Sequence, residues 1–194
     1  MSAWPVLCAA LALASVAAWF MGPAAAGLQW DVSSWLHRPW TLWTSAVVHL
    51  SAGHLLANLL ALGALAILGA ALRVGRPAAL ALLAAWPLGT LALTAWPQVK
   101  QYSGLSGLIH AAVAILWAHA AITRKAWPLS FVVFAGVLFK LLTEHAWKTP
   151  IAFDPAWGFN VVYAAHLSGA LAGAASGLLA AAWLSRGSSG PMRS

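Results

Sequence analysis

The chain contains long apolar stretches that carry almost no charge, and nothing else limits its fold as severely. They lie near 4–22, 44–72, 78–96, 104–122, 128–146 and 160–184. Each reaches or approaches the ~20 residues a helix needs to cross a bilayer. Their borders are marked by proline, glycine or charge: Gly22-Pro23, Arg73 to Pro77, Trp96-Pro97, Arg124 to Pro128, and Trp147 to Phe159. All are rich in alanine and leucine and apolar around the whole circumference, as lipid-buried helices are and surface helices are not. Backbone groups in lipid must bond within their own segment, and these runs are too long and too unalternating for barrel strands. The expectation is an all-α membrane protein. A single domain over 1–194 forms a bundle of six transmembrane helices, with a loose Gly/Ser-rich tail at 185–194.

Composition excludes the other broad classes. Only 7% of the 194 residues are charged and the mean hydropathy is +0.83, whereas a soluble domain carries roughly 25% charged residues. The formal charge of +7 does not indicate a nucleic-acid partner, because the basic residues are dispersed through an apolar chain. They read as topology signals, and the partner is membrane lipid. Arg73, Arg76, Arg124, Lys125, Arg186 and Arg193 fall in the second and fourth loops and the tail; Arg38, Lys100 and Lys148 fall in the others. The positive-inside rule then puts both termini in the cytoplasm. Ala24-Ala25-Ala26 resembles a signal-peptide cleavage site, but no lysine or arginine precedes it, so the first run is expected to stay as a helix. One cysteine, Cys8, permits neither an internal disulfide nor a CxxC metal site. Trp4, Trp40, Trp43, Trp96, Trp127, Trp147, Trp157 and Trp183 lie near helix ends, as interfacial belts would place them.

Polar side chains inside spans are costly and mark candidate sites. In the second run, His54 and Asn58 are four apart and share a helix face. His49 points elsewhere and is expected to tie down the preceding loop. The fourth run opens with Ser103-Gly104-Leu105-Ser106-Gly107, which puts Ser106 at a helix start, where free N–H groups favour negative charge. A serine attacking a carbonyl needs such donors for its oxyanion. Small residues also let helices approach closely in lipid, and that plainer reading holds for Gly104 and Gly107 taken alone. In the sixth run, Gly169, Gly173 and Gly177 form a groove at spacing four, and His166 lies on nearly the same face.

The combination His49-xxxx-His54-xxx-Asn58, Gly104-Leu105-Ser106-Gly107 and Ala165-His166-xx-Gly169-xxx-Gly173 resembles the rhomboid intramembrane serine proteases across roughly residues 40–177. The resemblance implies Ser106 as nucleophile and His166 as general base, a dyad without an acidic third member. It implies that His54, Asn58 and the Ser106 N–H bind the oxyanion. The loop Phe153 to Gly158 matches the cap over the site, and the fifth helix the lateral gate for substrate. The chain is similar to the short bacterial branch called rhombosortases. That branch is thought to remove Gly-Gly C-terminal sorting tails from proteins with one C-terminal membrane helix. This implies a bacterial inner-membrane location and no cofactor or metal. Two departures stand out. The first loop has Trp40-Thr41 where rhomboids often have Trp-Arg, so its anchoring is expected to differ. One turn after the serine, where many have tyrosine, stands His110, expected to support His166 rather than replace it.

Other residues carry plainer expectations. Lys140 and Glu144, four apart, read as a structural ion pair, and Asp154 is not expected to complete a triad. His119 faces away from Ser106. Two rival functions remain: a metal or haem membrane protein ligated by His49, His54, His110, His119, His145 and His166, and a rhomboid-like protein that binds spans without cutting them.

Overall fold

The computed structural model describes residues 3–124 and 127–187. Its helices are α1 (Ala3–Phe20), the short α2 (Thr41–Thr44), α3 (Ala52–Ala71), α4 (Arg76–Leu91), α5 (Ser106–Thr123), α6 (Trp127–Glu144) and α7 (Tyr163–Gly187). Among the described residues, five helices are long and apolar enough to cross a membrane: α1, α3, α4 with its 3-10 extension to Ala95, α5, and α7 as far as Trp183. The chain is a multi-pass membrane protein. α6 is also apolar, with Val132, Phe139 and Leu142 exposed, and packs on α5 through Phe134 stacked on Trp117, centroids 4.3 Å apart.

Several helix limits differ from the hydropathy reading. The run at 44–72 is helical in its long part only from Ala52; residues 45–47 form a 3-10 turn and Val48 is extended. Ser51 sets the start by accepting the His54 N–H at 3.2 Å, satisfying one of the free donors of the first turn. Hydropathy cannot see this break, because Ala46, Val47 and Val48 are buried and apolar without belonging to the α-helix. The run at 104–122 becomes helical at Ser106, since Gly104 has φ +118. The run at 160–184 starts at Tyr163 because Phe159–Val161 (β4) pairs antiparallel with Ala152–Asp154 (β3). At its other end α7 continues to Gly187, so 185–187 are helical rather than part of a loose tail; 188–194 lie outside the described residues. A second two-stranded ribbon joins Trp30–Asp31 (β1) to Gln101–Tyr102 (β2).

The core is a seam between α5 and α7. A methyl group on Gly169 would strike the Gly107 carbonyl, one on Gly173 the Ala111 carbonyl, and one on Gly177 would come within 2.9 Å of the Ile115 Cα. The contacts advance by four on both helices, so α5 and α7 run parallel and in register, backbone against backbone. Gly89 on α4 meets Gly169 from another side, its Cβ position 3.3 Å from the Gly169 Cα. The glycine groove expected from sequence is this seam.

Trp4 corrects the belt reading. Its side chain is 0% exposed, it donates its indole N–H to the Leu65 carbonyl at 3.0 Å, and it fills the space a side chain at Gly69 would need. It fastens α1 to α3. Trp40, Trp43, Trp147 and Trp183 are exposed, as belt residues are; the Trp127 side chain lies outside the described residues.

Candidate active site

Ser106 is the first residue of α5, and the loop before it is held open. Gly104 at φ +118 occupies a conformation that side chains rarely adopt, and a Cβ there would come within 2.8 Å of the His54 ring. The Tyr102 hydroxyl donates to the Gly104 carbonyl at 2.7 Å. Burial pushes that phenol up from its usual value, so it remains a donor at any working pH. A Cβ on Gly107 would lie 2.8 Å from the Tyr102 oxygen and 2.9 Å from the Ala165 carbonyl. The glycines flanking Ser106 are therefore required by close approach on both sides.

α7 brings the imidazole. His166 Nε2 lies 3.0 Å from Ser106 Oγ, and its Nδ1 lies 2.8 Å from Glu144 Oε2 at the end of α6. A carboxylate only accepts, so Nδ1 carries the proton. In the neutral ring Nε2 is then an acceptor, and the Ser106 hydroxyl donates to it. The expected dyad without an acid thus meets a carboxylate. Glu144 does pair with Lys140, at 2.6 Å, but only through Oε1; its second oxygen reaches the histidine.

His110 stacks on His166 with centroids 4.4 Å apart and planes within 9°. Its Nδ1 donates to the Ser106 carbonyl at 2.7 Å rather than engaging the hydroxyl. It supports the ring of His166 and keeps one face of it from tilting. His54 lies beneath the β3–β4 hairpin, its ring 5.1 Å from Phe159 and 5.7 Å from Trp157. Asn58 is buried one turn further along α3. His54 Nδ1 and Asn58 Nδ2 are buried without a protein partner.

Two cavities meet at Ser106. One of about 350 Å³ lies between α3 and α6, lined by Asn58, Ala61, Lys140 and Thr143 among others. The other, of about 360 Å³, lies among the loops with Gln29, Gln98, Lys100 and Asn160. Ser106 and His54 border both. Asp154 turns the hairpin by accepting the Ala156 N–H at 2.9 Å and takes no part in the Ser106–His166 pair.

The remaining histidines are elsewhere. His49 Nδ1 lies 3.1 Å from the Val47 carbonyl, fastening its own loop, with its ring edge-on to His54 at 5.1 Å. Burial lowers its basicity. His119 is buried thirteen residues beyond Ser106, and His145 packs on Trp147 at the end of α6. Among the described residues no group of three or more His, Cys, Asp or Glu side chains is arranged to hold a metal ion. The first loop, lacking arginine after Trp40, is held by hydroxyls: Thr41 Oγ1 to the Arg38 carbonyl at 2.7 Å and Thr44 Oγ1 to the Leu28 carbonyl at 2.8 Å.

No curated protein matches the chain. Residues 36–183, from the first loop to the last turns of α7, match the Rhomboid domain. With a serine and a histidine from two of its apolar helices meeting beside a cavity between helices, the chain belongs to the rhomboid family of intramembrane serine proteases.

Proposed function

We propose that the chain is a serine endopeptidase that cuts single-span membrane proteins near the outer face of a bacterial inner membrane. Its substrates carry a Gly-Gly sorting tail ahead of one C-terminal helix. The observation that carries this reading is the 3.0 Å contact between Ser106 Oγ and His166 Nε2. As Oγ bonds to the scissile carbonyl carbon, its proton passes to Nε2 and the carbonyl electrons move onto oxygen. The Ser106 N–H, His54 and Asn58 stabilise that oxyanion. Its collapse breaks the C–N bond, the amine leaves with the proton from Nε2, and water repeats the sequence on the acyl-enzyme. Binding of spans without cleavage would need neither the hydroxyl nor the ring.

The substrate helix enters between α3 and α6, with α6 as a sixth span and the β3–β4 hairpin as cap. The scissile segment unwinds before it reaches Ser106, because a helix hides its carbonyls in backbone bonds. Glycines lower the cost of unwinding by about 1 kcal/mol each relative to alanine, and leave room under Trp157 and Phe159. Orientation rests on charge: Arg73 and Arg124 terminate α3 and α5 at the end away from Ser106, which favours cytoplasmic termini and an outward site.

The test is co-expression with a Gly-Gly-tailed reporter and with its Leu-Leu counterpart. Selective cleavage of the first, lost in Ser106→Ala, is expected. Equal cleavage of both removes the sorting-tail specificity, and cleavage unaffected by Ser106→Ala removes the protease reading. Labelling of Ser106→Cys by an impermeant thiol reagent from the outside checks the orientation.

A further inference from the structure

Glu144 is placed unlike a surface ion-pair residue. It is the last residue of α6, and the chain turns away at once through His145, whose φ is +50. Its side chain is only 7% exposed, whereas its partner Lys140 is 52% exposed. Withdrawing a carboxylate from water is expensive unless its oxygens are met by good donors. A pair serving only to steady a helix end gains nothing from such burial, since Lys140 can reach an exposed carboxylate equally well. The oxygen turned inward meets His166 Nδ1 at 2.8 Å.

The imidazole needs that contact. A neutral histidine is useful to Ser106 only with its proton on Nδ1, because the other tautomer presents an N–H to the hydroxyl instead of a lone pair. His110 stacks on the ring face and restrains tilt, but it does not choose between tautomers or fix rotation within the ring plane. Tyr163, with centroids 6.1 Å away, supplies no acceptor to Nδ1. Glu144 supplies both the acceptor and, while Nε2 holds the serine proton, the compensating negative charge.

We infer that Glu144 is a positioning residue that makes the site a Ser106–His166–Glu144 array, with Lys140 orienting the carboxylate. This rests on the proposed protease reading and adds an acid supplied from α6, the helix that borders the lateral cavity. No proton moves to Glu144: Nδ1 keeps its hydrogen throughout, while Nε2 takes the Ser106 proton and returns it to the leaving amine.

The experiment measures the rate at which a fluorophosphonate probe labels the full-length protein in detergent micelles. It compares wild type with Ser106→Ala, Glu144→Gln, Glu144→Asp and Glu144→Ala. Glu144→Gln keeps the shape and loses the charge, and is expected to slow labelling by about 10²-fold or more, up to the ~10⁴-fold that the same change of the carboxylate costs in soluble triads. Glu144→Asp should recover part of the rate. Added formate should partly restore Glu144→Ala and leave Ser106→Ala unlabelled, a rescue that a merely structural role does not give. With a peptide substrate the loss should fall on kcat rather than KM. Glu144→Gln labelling within about threefold of wild type, or a loss tracking only a lowered thermal midpoint with no formate rescue, overturns the inference and leaves the protease reading intact. Failure of wild type to label at Ser106 overturns the reading beneath it instead.

Discussion

The two walls of the site are built on opposite principles. On one side α5 and α7 meet glycine to backbone, with Gly169, Gly173 and Gly177 admitting no side chain at all. On the other, α3 and α6 stand apart across a cavity of about 350 Å³, and Gly136 in α6 has nothing within 4 Å of its Cβ position. Ser106 and His166 belong to the tight wall, while His54, Asn58 and Glu144 come from the open one. The proposed attack geometry tolerates little error, and it is carried by elements that cannot shift without a steric clash. Groups that must leave space for a substrate are carried by elements with room beside them.

The largest expected effect breaks the tight wall chemically without touching its packing. Ser106→Ala and His166→Ala should each lower cleavage by about 10⁶-fold, the scale seen when either member of such a pair is removed. The thermal midpoint should stay unchanged for Ser106→Ala, since alanine suits a small-residue seam. His110→Ala should keep measurable activity, because its Nδ1 is spent on the Ser106 carbonyl. A dead His110→Ala beside an active His166→Ala reverses the assignment of the base.

Next come the proposed oxyanion donors of the open wall. Asn58→Ala or His54→Ala should each slow acylation by about 10²-fold, the usual cost of one oxyanion donor. Binding of an uncleavable substrate span should change little. If either variant weakens that binding as much as it slows acylation, the side chain is a substrate contact rather than an oxyanion donor.

A smaller effect compares the walls directly. Gly173→Val forces a side chain into the Ala111 backbone and should destabilise the bundle by about 1–3 kcal/mol, as overpacking does. Gly136→Ala adds a methyl to open space within a helix and should stabilise by up to about 1 kcal/mol. Unfolding in mixed micelles reads both, and equal costs would mean that the two walls are packed alike.

These residues also show what can be read from sequence and what cannot. The seam was legible because glycine at spacing four has one purpose on an apolar helix. The meeting of Ser106 with His166 was legible because both stand in motifs whose order matches the rhomboid pattern. The Lys140–Glu144 pair expected from the spacing forms, but the second contact of Glu144, to His166 on α7, has no trace in the sequence because Lys140 four residues earlier already satisfies the carboxylate locally. Trp4 was misread because a tryptophan near a helix end looks the same whether it faces headgroups or fills the notch at Gly69. The start of α3 was hidden by residues that are apolar for burial in a turn, and only Ser51 marked the cap.

The smallest expected effect concerns the loop-side cavity and is a matter of pH. Asp31 lies in β1, outside the spans, and its carboxyl is held below its usual value. The Ser33 hydroxyl contributes most, followed by the Ser33 N–H and then Gln101, with Arg38 adding a weak attraction. Gln101 donates to Asp31 at 3.2 Å, and Gln101–Tyr102 is the strand that leads into Gly104 and Ser106. A carboxyl with a depressed folded pKa contributes stability above its unfolded pKa, and that contribution is lost as pH falls through the folded value. The contribution should therefore be complete at neutral pH and fade only below the ordinary carboxylate range. Asp31 is partly exposed and its hydrogen bonds lie at the surface, so water and salt screen the effect and it should be slight. Asp31→Asn should lower the neutral-pH thermal midpoint marginally and flatten its acid dependence, with labelling of Ser106 reduced at most a few-fold. A large loss of labelling at neutral pH would mean that the β1–β2 ribbon positions the serine as firmly as the glycine seam does, and the contrast between the two walls would have to include the first loop.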